Sequence, residues 1–273
     1  MVTEWDVRLP DGRTLHGVDS GGDGPVVVWH HGTPHTGALV APLLAAAADR
    51  GLRLVSYARP GYGGSTARPG RDVASAASDV ASALHALGVE RFVTVGSSGG
   101  APHALACAAL LPGRVTAVAA LSGLAPYTGD PDWFAGMADD RALRAATAGR
   151  DARREYARSA EFDPATFTDA DWEALSGTWA GVGEDAVRAA ASTPDGAVDD
   201  DLAFVSPWGF DPSAIAVPTL VVHGVDDRMV PVAHAHRLLA AIPGATPWLR
   251  PGDGHVSVLD AFPAVLDRLT EPR

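Results

Sequence analysis

The sequence predicts an α/β fold, with a mostly parallel sheet covered by helices on both faces. Short apolar runs without polar alternation, such as PVVVWH and RFVTVG, are typical of strands that are buried on both sides. Helical patterns separate most of these runs, as they do in parallel α/β proteins. The chain has 273 residues, of which 47% are hydrophobic and 20% charged, so it can form one large core with an insertion.

Eight strands can be placed in order along the chain. TEWDVRL and RTLHGVD flank Pro10-Asp11-Gly12 and predict a hairpin. The six further strands are PVVVWHHG, LRLVSYA, RFVTVG, VTAVAAL, VPTLVVHG and TPWLR. Helices are expected over about residues 37–50, 72–87, 101–111, 232–242 and 256–269.

The alternation of strand and helix patterns stops between the sixth and seventh strands. Residues 124–214 contain no strand-like run, and they are rich in aromatic side chains. Three helix starts are marked, by Asp130-Pro131, by Asp163-Pro164 and by the capping pattern from Thr168 to Asp171. We therefore expect residues 1–123 and 215–273 to form the core, and residues 124–214 to form a helical lid inserted after strand 6.

Composition excludes several classes of partner. The formal net charge of −12 repels nucleic acid and anionic lipid, and no apolar run is long enough to span a membrane. The first residues lack the pattern of a signal peptide, and Cys107 is the single cysteine. We expect a cytoplasmic protein that acts on a small molecule, whereas the sequence leaves its oligomeric state open.

The segment Gly96-Ser97-Ser98-Gly99-Gly100 joins a strand to a helix and matches Gly-x-Ser-x-Gly. In such a turn, the central residue is held in a strained conformation that lifts its side chain above the sheet, and only small residues fit at the outer positions. The central residue is Ser98, so we expect Ser98 rather than Ser97 to be a nucleophile.

The sequence resembles the α/β-hydrolase superfamily over nearly its whole length, and specifically its serine-nucleophile branch of esterases and haloperoxidase-like enzymes. Four further segments carry the resemblance in the order the family has them. They are HHGTP at 30–34, RPGYGGS at 59–65, HGVDDRMVP at 223–231 and PGDGHVSVL at 251–259. The first resembles the family's oxyanion loop, and the last two resemble its acid-bearing and histidine-bearing loops.

The resemblance implies a triad of Ser98 as nucleophile, His255 as base and Asp227 as acid. Asp227 stands three residues after the glycine that ends its strand, where the family usually has its acid, although Asp226 and Asp253 are alternatives. The resemblance also implies an oxyanion hole formed by the backbone N–H groups of Thr33 and Gly99. The activity should rise with pH around the ordinary histidine pKa of about 6.5.

Hydrolysis of a carboxylic ester is the leading function. The same triad could serve a carbon–carbon bond hydrolase, a thioesterase, a cofactor-free perhydrolase or an iminopeptidase-like enzyme, and some members of the fold are ligand receptors without catalysis. Epoxide hydrolases and haloalkane dehalogenases of this fold carry an aspartate where this chain has Ser98. No metal or organic cofactor is expected.

Aromatic side chains of the expected lid suggest a substrate with a small apolar or aromatic group. The candidate pocket residues are Trp133, Trp172, Trp179 and Trp208. Tryptophans at helical spacing also pack a lid onto its core, and the sequence does not separate these two roles.

Overall fold

The structure, a computed structural model that describes residues 2–271, contains one eight-stranded sheet. The strands are β1 (Thr3–Arg8), β2 (Thr14–Asp19), β3 (Val26–His30), β4 (Arg53–Tyr57), β5 (Phe92–Ser97), β6 (Val115–Leu121), β7 (Thr219–Gly224) and β8 (Thr246–Arg250). All eight strands predicted from the sequence are confirmed.

The strand order is β1-β2-β4-β3-β5-β6-β7-β8. The hairpin of β1 and β2 is antiparallel, β2 also runs antiparallel to β4, and every other neighbouring pair is parallel. β5 lies in the interior of the sheet between β3 and β6. The loops that follow β3, β5 and β7 therefore leave the sheet at one edge, the carboxyl ends of its parallel strands, where α/β proteins bind their ligands.

Ten α-helices accompany the sheet within residues 2–271. They are α1 (Ala41–Ala48), α2 (Ser75–Ala86), α3 (Ala101–Leu110), α4 (Arg141–Thr147), α5 (Arg150–Ser159), α6 (Asp169–Ser176), α7 (Ala180–Ala190), α8 (Asp195–Phe204), α9 (Ala233–Ala241) and α10 (Phe262–Thr270). The predicted last helix is divided, because a 3₁₀ turn over Ser257–Ala261 precedes α10. Pro263 stands in the first turn of α10, where its missing N–H costs no hydrogen bond.

Side chains that alternate along β6 show that both faces of the sheet are covered. Val118 and Ala120 pack in a hydrophobic cluster that contains Leu105 of α3. Ala119 packs in a second cluster that contains Leu266 of α10. The expected layers of helix, sheet and helix are confirmed.

The chain between β6 and β7 contains α4 to α8 and no strand. We call residues 124–214 the insert. The starts at Asp130-Pro131 and Asp163-Pro164 lead only into 3₁₀ turns, at Pro131–Phe134 and Pro164–Thr166, whereas the Thr168–Asp171 capping box does begin α6. An aspartate followed by proline caps the first turn, but a longer helix also needs an apolar face that packs on the core.

The insert packs into the same two clusters as the sheet. Trp133 and Phe204 belong to the cluster of α3, and Trp179 belongs to the cluster of α10. The insert is thus anchored on both sides of the sheet.

Candidate active site

The turn after β5 places Ser98 in a conformation that non-glycine residues rarely adopt. Ser98 has a φ of 53°, in the left-handed region, whereas Ser97 has an extended φ of −116°. Ser97 is buried and Ser98 is partly exposed. A strained residue between a strand and a helix is the geometry expected of a nucleophile elbow.

Glycines make this turn possible because they approach the neighbouring backbone closely. A Cβ on Gly96 would overlap the carbonyl of Gly100. A Cβ on Gly100 would overlap the carbonyls of His30 and His31 at the end of β3. The requirement for small residues therefore follows from contact between two adjacent strand ends.

Thr33 and Gly99 lie against each other beside Ser98. A Cβ on Gly99 would overlap Thr33 Oγ1 and would lie 3.1 Å from Thr33 Cβ. Gly32, next to Thr33, lies close to the Ser98 side chain, because a Cβ on Gly32 would lie 3.6 Å from Ser98 Cβ. The two residues expected to supply oxyanion donors are thus adjacent, in the turn that carries Ser98 and in the loop after β3.

Two buried histidines shape the loop that carries Thr33. His30 contacts the Tyr57 hydroxyl through Nδ1 and the Thr94 hydroxyl through Nε2, at 3.1 and 2.9 Å. His31 Nε2 accepts a hydrogen bond from the Arg59 N–H at 3.0 Å. Burial and the Arg59 charge lower the pKa of His30 to about 3, and the same causes hold the pKa of His31 well below its usual value. Both rings are therefore neutral parts of the framework.

His255 and Asp227 form a buried pair at the same edge of the sheet. His255 Nδ1 lies 2.8 Å from Asp227 Oδ2, and both side chains are buried. The other oxygen, Oδ1, accepts hydrogen bonds from the Met229 and Val230 N–H groups at 2.9 and 2.8 Å. The carboxylate is therefore held by the backbone after β7 while it orients the imidazole.

The two alternative acids do not contact the imidazole. Asp226 is exposed, and its N–H donates to the carbonyl of Asp253. The Asp253 side chain pairs with Arg250. Among the three candidates, Asp227 is the carboxylate that the fold brings to His255.

Two opposing effects act on His255. Burial lowers its pKa, but the charge of Asp227 and the hydrogen bond to it outweigh burial, so the net pKa is raised above 6.5. This differs from the unshifted value expected from the sequence. The cause is the Asp227 carboxylate, which favours the imidazolium.

Within residues 2–271, the Ser98 hydroxyl makes no hydrogen bond to His255. Hydrogen bonds between catalytic groups are often long before substrate binds, and they shorten in the reacting complex. With Nδ1 directed at Asp227, the ring nitrogen left for a serine is Nε2.

Three of the four candidate tryptophans are packing residues in this structure. Trp133 is 1%, Trp179 2% and Trp208 3% exposed. The indole N–H groups of Trp133 and Trp179 donate to the Ala125 carbonyl and to Asp260. Such burial leaves these rings no surface for a substrate, which corrects the expectation that they line a pocket.

Trp172 is 40% exposed and packs edge-to-face against Phe162 and Phe167 of the insert. The aromatic ring found beside the elbow is a different one. Phe204 Cζ lies 3.0 Å from the point where a Cβ on Gly99 would be. The sequence offered no sign of this contact, because Phe204 is one of many apolar residues in α8.

Three buried carboxylates of the insert, Asp171, Asp185 and Asp200, reach the candidate catalytic loops and were not anticipated. Asp200 of α8 accepts hydrogen bonds from the Thr33 hydroxyl at 2.5 Å and from Arg59 at 2.7 Å. Asp171 of α6 accepts one from the His255 N–H at 3.1 Å. The run VDDDLAF, in which acidic residues interrupt an apolar helix, is a sequence signal that could have indicated buried ion pairs.

No group of three or more histidine, cysteine, aspartate or glutamate side chains in residues 2–271 could hold a metal ion. No helix in that range is both long and apolar enough to cross a bilayer.

Known proteins resemble the chain in sequence and in fold. A family profile described as the alpha/beta hydrolase fold matches residues 25–262. An epoxide hydrolase from Caballeronia sordidicola is 34% identical over 124 residues, which cover 44% of this chain and 37% of that protein. The chain thus aligns with little more than a third of that relative's length.

Two solved structures match almost the whole chain. The enol-lactonase from Burkholderia xenovorans LB400 has a TM-score of 0.75 and 26% identity, over 98% of this chain and 100% of its own. The bromoperoxidase from Bacillus anthracis has a TM-score of 0.76 and 23% identity, over 98% of this chain and 99% of its own.

Proposed function

The chain belongs to the α/β-hydrolase fold family, and on that premise we propose that it is a serine hydrolase that cleaves carboxylic esters through an acyl-enzyme. The observation that carries the proposal is the buried His255–Asp227 pair at the sheet edge where strained Ser98 stands. A serine hydroxyl is a weak nucleophile at neutral pH and needs an adjacent base, and a histidine oriented by a carboxylate supplies one.

In the proposed first step, Ser98 Oγ attacks the carbonyl carbon of the ester while His255 Nε2 takes its proton. The imidazolium then returns that proton to the alcohol oxygen as the carbon–oxygen bond breaks, which leaves an acyl group on Ser98. In the second step, water attacks the acyl carbon, His255 again takes the proton, and Ser98 leaves with it. Asp227 holds the ring tautomer and stabilises the imidazolium in both steps.

The negative charge that develops on the carbonyl oxygen needs donors beside Ser98. The N–H groups of Thr33 and Gly99 are the proposed donors, since the two residues lie in contact next to the nucleophile. Loss of one such donor costs about 2.7–4 kcal/mol of transition-state stabilisation. The 3₁₀ turn begins at Ser98 and leads into α3 at Ala101, so the positive end of the helix dipole lies near the nucleophile.

The elbow residue separates ester from epoxide hydrolysis. Epoxide hydrolases of this fold use an aspartate as nucleophile, whereas this chain has Ser98, so the relative named epoxide hydrolase does not decide the reaction. An enol-lactonase cleaves a cyclic ester, and its 26% identity over nearly the full length supports the ester assignment. Phe204 borders Gly99 but is only 2% exposed, so the preference for a small apolar or aromatic group in the substrate remains the expectation drawn from the aromatic insert.

Labelling with a fluorophosphonate probe, followed by peptide mass mapping, tests the nucleophile. The wild-type protein should carry the adduct on Ser98, and Ser98→Ala should lose both the adduct and about 10⁶ in kcat, the loss that follows removal of the nucleophile in a serine protease. Ser97→Ala is the matched control, because it removes the neighbouring buried hydroxyl and should retain both. An adduct on Ser97, or activity in Ser98→Ala, would contradict the assignment.

A substrate screen tests the reaction class independently. p-Nitrophenyl esters of increasing acyl length and simple lactones should be hydrolysed, with short or aromatic acyl groups preferred. Turnover of a thioester or a vinylogous diketone without ester hydrolysis would overturn the ester assignment while leaving Ser98 as nucleophile. Turnover of styrene oxide would contradict both assignments.

A further inference from the structure

The catalytic histidine stands at a helix start that has no cap from its own segment. His255 and Val256 lead into the 3₁₀ turn Ser257–Ala261, which continues into α10. The first N–H groups of a helix have no partners within it and need an acceptor from elsewhere. The Val256 side chain at the N-cap position provides none.

One carboxylate from the insert supplies the missing acceptors. Asp171 Oδ1 accepts hydrogen bonds from the Val256 and Ser257 N–H groups at 2.7 and 2.9 Å, and Oδ2 accepts one from the His255 N–H at 3.1 Å. The Ser257 hydroxyl adds a fourth, at 3.0 Å. Asp171 therefore caps, from another part of the chain, the turn that begins with the catalytic base.

Asp171 is fully buried and ionised. Burial raises the pKa of Asp171, but the hydrogen bonds from Ser257, Thr168 and Val256 outweigh this effect. The net pKa is therefore below its usual value. Within residues 2–271, no arginine or histidine forms an ion pair with it. Its charge is thus balanced by oriented N–H and O–H dipoles, which ties the carboxylate to one geometry of the His255 loop.

Gly254 makes this contact possible. A Cβ at Gly254 would overlap Asp171 Oδ2 and would lie 2.6 Å from Thr168 Oγ1. The glycine before the catalytic histidine therefore allows the capping carboxylate of α6 to approach the backbone.

We infer that Asp171, on the insert, is a positioning residue that fixes the backbone of His255 within the proposed triad. This inference rests on the proposed function, because it assigns Asp171 to the same triad. On this inference, the insert is part of the catalytic framework.

The charges around His255 define what a pH measurement should show. Asp227 and Asp171 both raise the pKa of His255. His223 Nε2 lies 3.5 Å from Asp227 Oδ2, the oxygen that His255 also contacts, and the Arg250–Asp253 pair lies in the preceding turn. Asp171→Asn removes one of the two negative charges that favour the imidazolium and leaves the other groups in place.

The test compares Asp171→Asn with Asp169→Asn, which removes an exposed charge from the first turn of the same helix. Asp171→Asn should lower kcat for p-nitrophenyl acetate by about 100-fold, the scale of an ångström-sized misplacement of a catalytic group, with little change in KM. Its pH profile and the NMR titration of His255 should both move to lower pH. Asp169→Asn should change neither. A wild-type kcat in Asp171→Asn, or equal pH shifts in the two variants, would overturn the inference.

Gly254→Ala provides a second variant that keeps the charge but displaces the carboxylate. We expect it to lower kcat to a similar degree with a smaller shift of the His255 titration, and an unchanged kcat would contradict the positioning role even if Asp171→Asn failed to fold. NMR separates this inference from the proposed function. If the wild type hydrolyses no ester, a lower His255 pKa in Asp171→Asn still supports the contact, whereas ester hydrolysis with no shift refutes it.

Discussion

Two adjacent serines with the same side chain have different surroundings because their backbones differ. Ser97 completes β5 in an extended conformation and is buried, whereas Ser98 turns into the left-handed region and is partly exposed. The difference depends on the glycines around them, which let the turn pass beside the carbonyls of His30 and His31. The proposed difference in reactivity between the two serines therefore rests on backbone geometry, since their side chains are the same.

The raised pKa of His255 predicts the pH dependence of the reaction. Protonated His255 cannot accept the serine proton, so kcat/KM should rise with pH as the imidazole loses its proton. Asp227 stabilises the imidazolium, and the midpoint should therefore lie above the ordinary value of 6.5. Rates from pH 5 to 9 with an ester substrate measure it, and a midpoint at or below 6.5 would contradict the role given to Asp227.

At the scale of elements, α8 holds the proposed oxyanion loop through one buried carboxylate. Asp200 pairs with Arg59 at 2.7 Å and with Arg71 at 2.6 Å, and it also accepts hydrogen bonds from Thr33 and Tyr62. Arg59 in turn donates to the carbonyls of His31 and Gly32. A helix of the insert thus fixes the loop after β3 through an arginine from the loop after β4.

Asp200→Asn should destabilise the protein and slow the reaction. It would leave Arg59 and Arg71 buried without their carboxylate, a loss of about 3–5 kcal/mol in the free energy of unfolding. Asp195→Asn is the control on the same helix, because Asp195 pairs with Arg154 near the surface and such pairs contribute at most about 1 kcal/mol. Urea unfolding of both variants measures the difference, and equal losses would show that the buried network contributes little.

At the scale of the whole molecule, the insert and the sheet share their hydrophobic clusters. Trp133 and Phe204 pack with α3 on one face, and Trp179 packs with α10 on the other. Buried carboxylates from three helices of the insert, Asp171, Asp185 and Asp200, add polar contacts to the candidate catalytic loops. The insert and the core therefore depend on the same contacts, and separation of the insert would disrupt the core.

We expect the insert and the core to unfold in one transition. Four of the seven tryptophans, Trp133, Trp172, Trp179 and Trp208, lie in the insert, so tryptophan fluorescence reports largely on it, whereas far-UV circular dichroism reports on the whole chain. Coincident urea transitions by the two probes are the expected result. A fluorescence transition at lower urea would show that the insert opens first.

The sequence by itself determined the eight strands, the insert between β6 and β7, and the register of the elbow at Ser98. These features depend on local patterns, since apolar runs, capping residues and glycines act on neighbours a few positions away. The family resemblance added the expected order of Ser98, Asp227 and His255. The same local patterns predicted helix starts at Asp130-Pro131 and Asp163-Pro164, but the structure has only 3₁₀ turns there.

The tertiary structure alone decided which aspartate meets His255 and which tryptophans are packing residues. It also gave Asp171 a second role. The capping pattern predicts only that Asp171 caps its own helix, but the carboxylate also accepts a hydrogen bond from the N–H of His255, which lies 84 residues further along the chain. Local periodicity specifies which face of an element is apolar, but not which distant loop a buried carboxylate will meet. That choice depends on the packing of the insert against the sheet, because a buried charge is stable only where the fold brings donors to it.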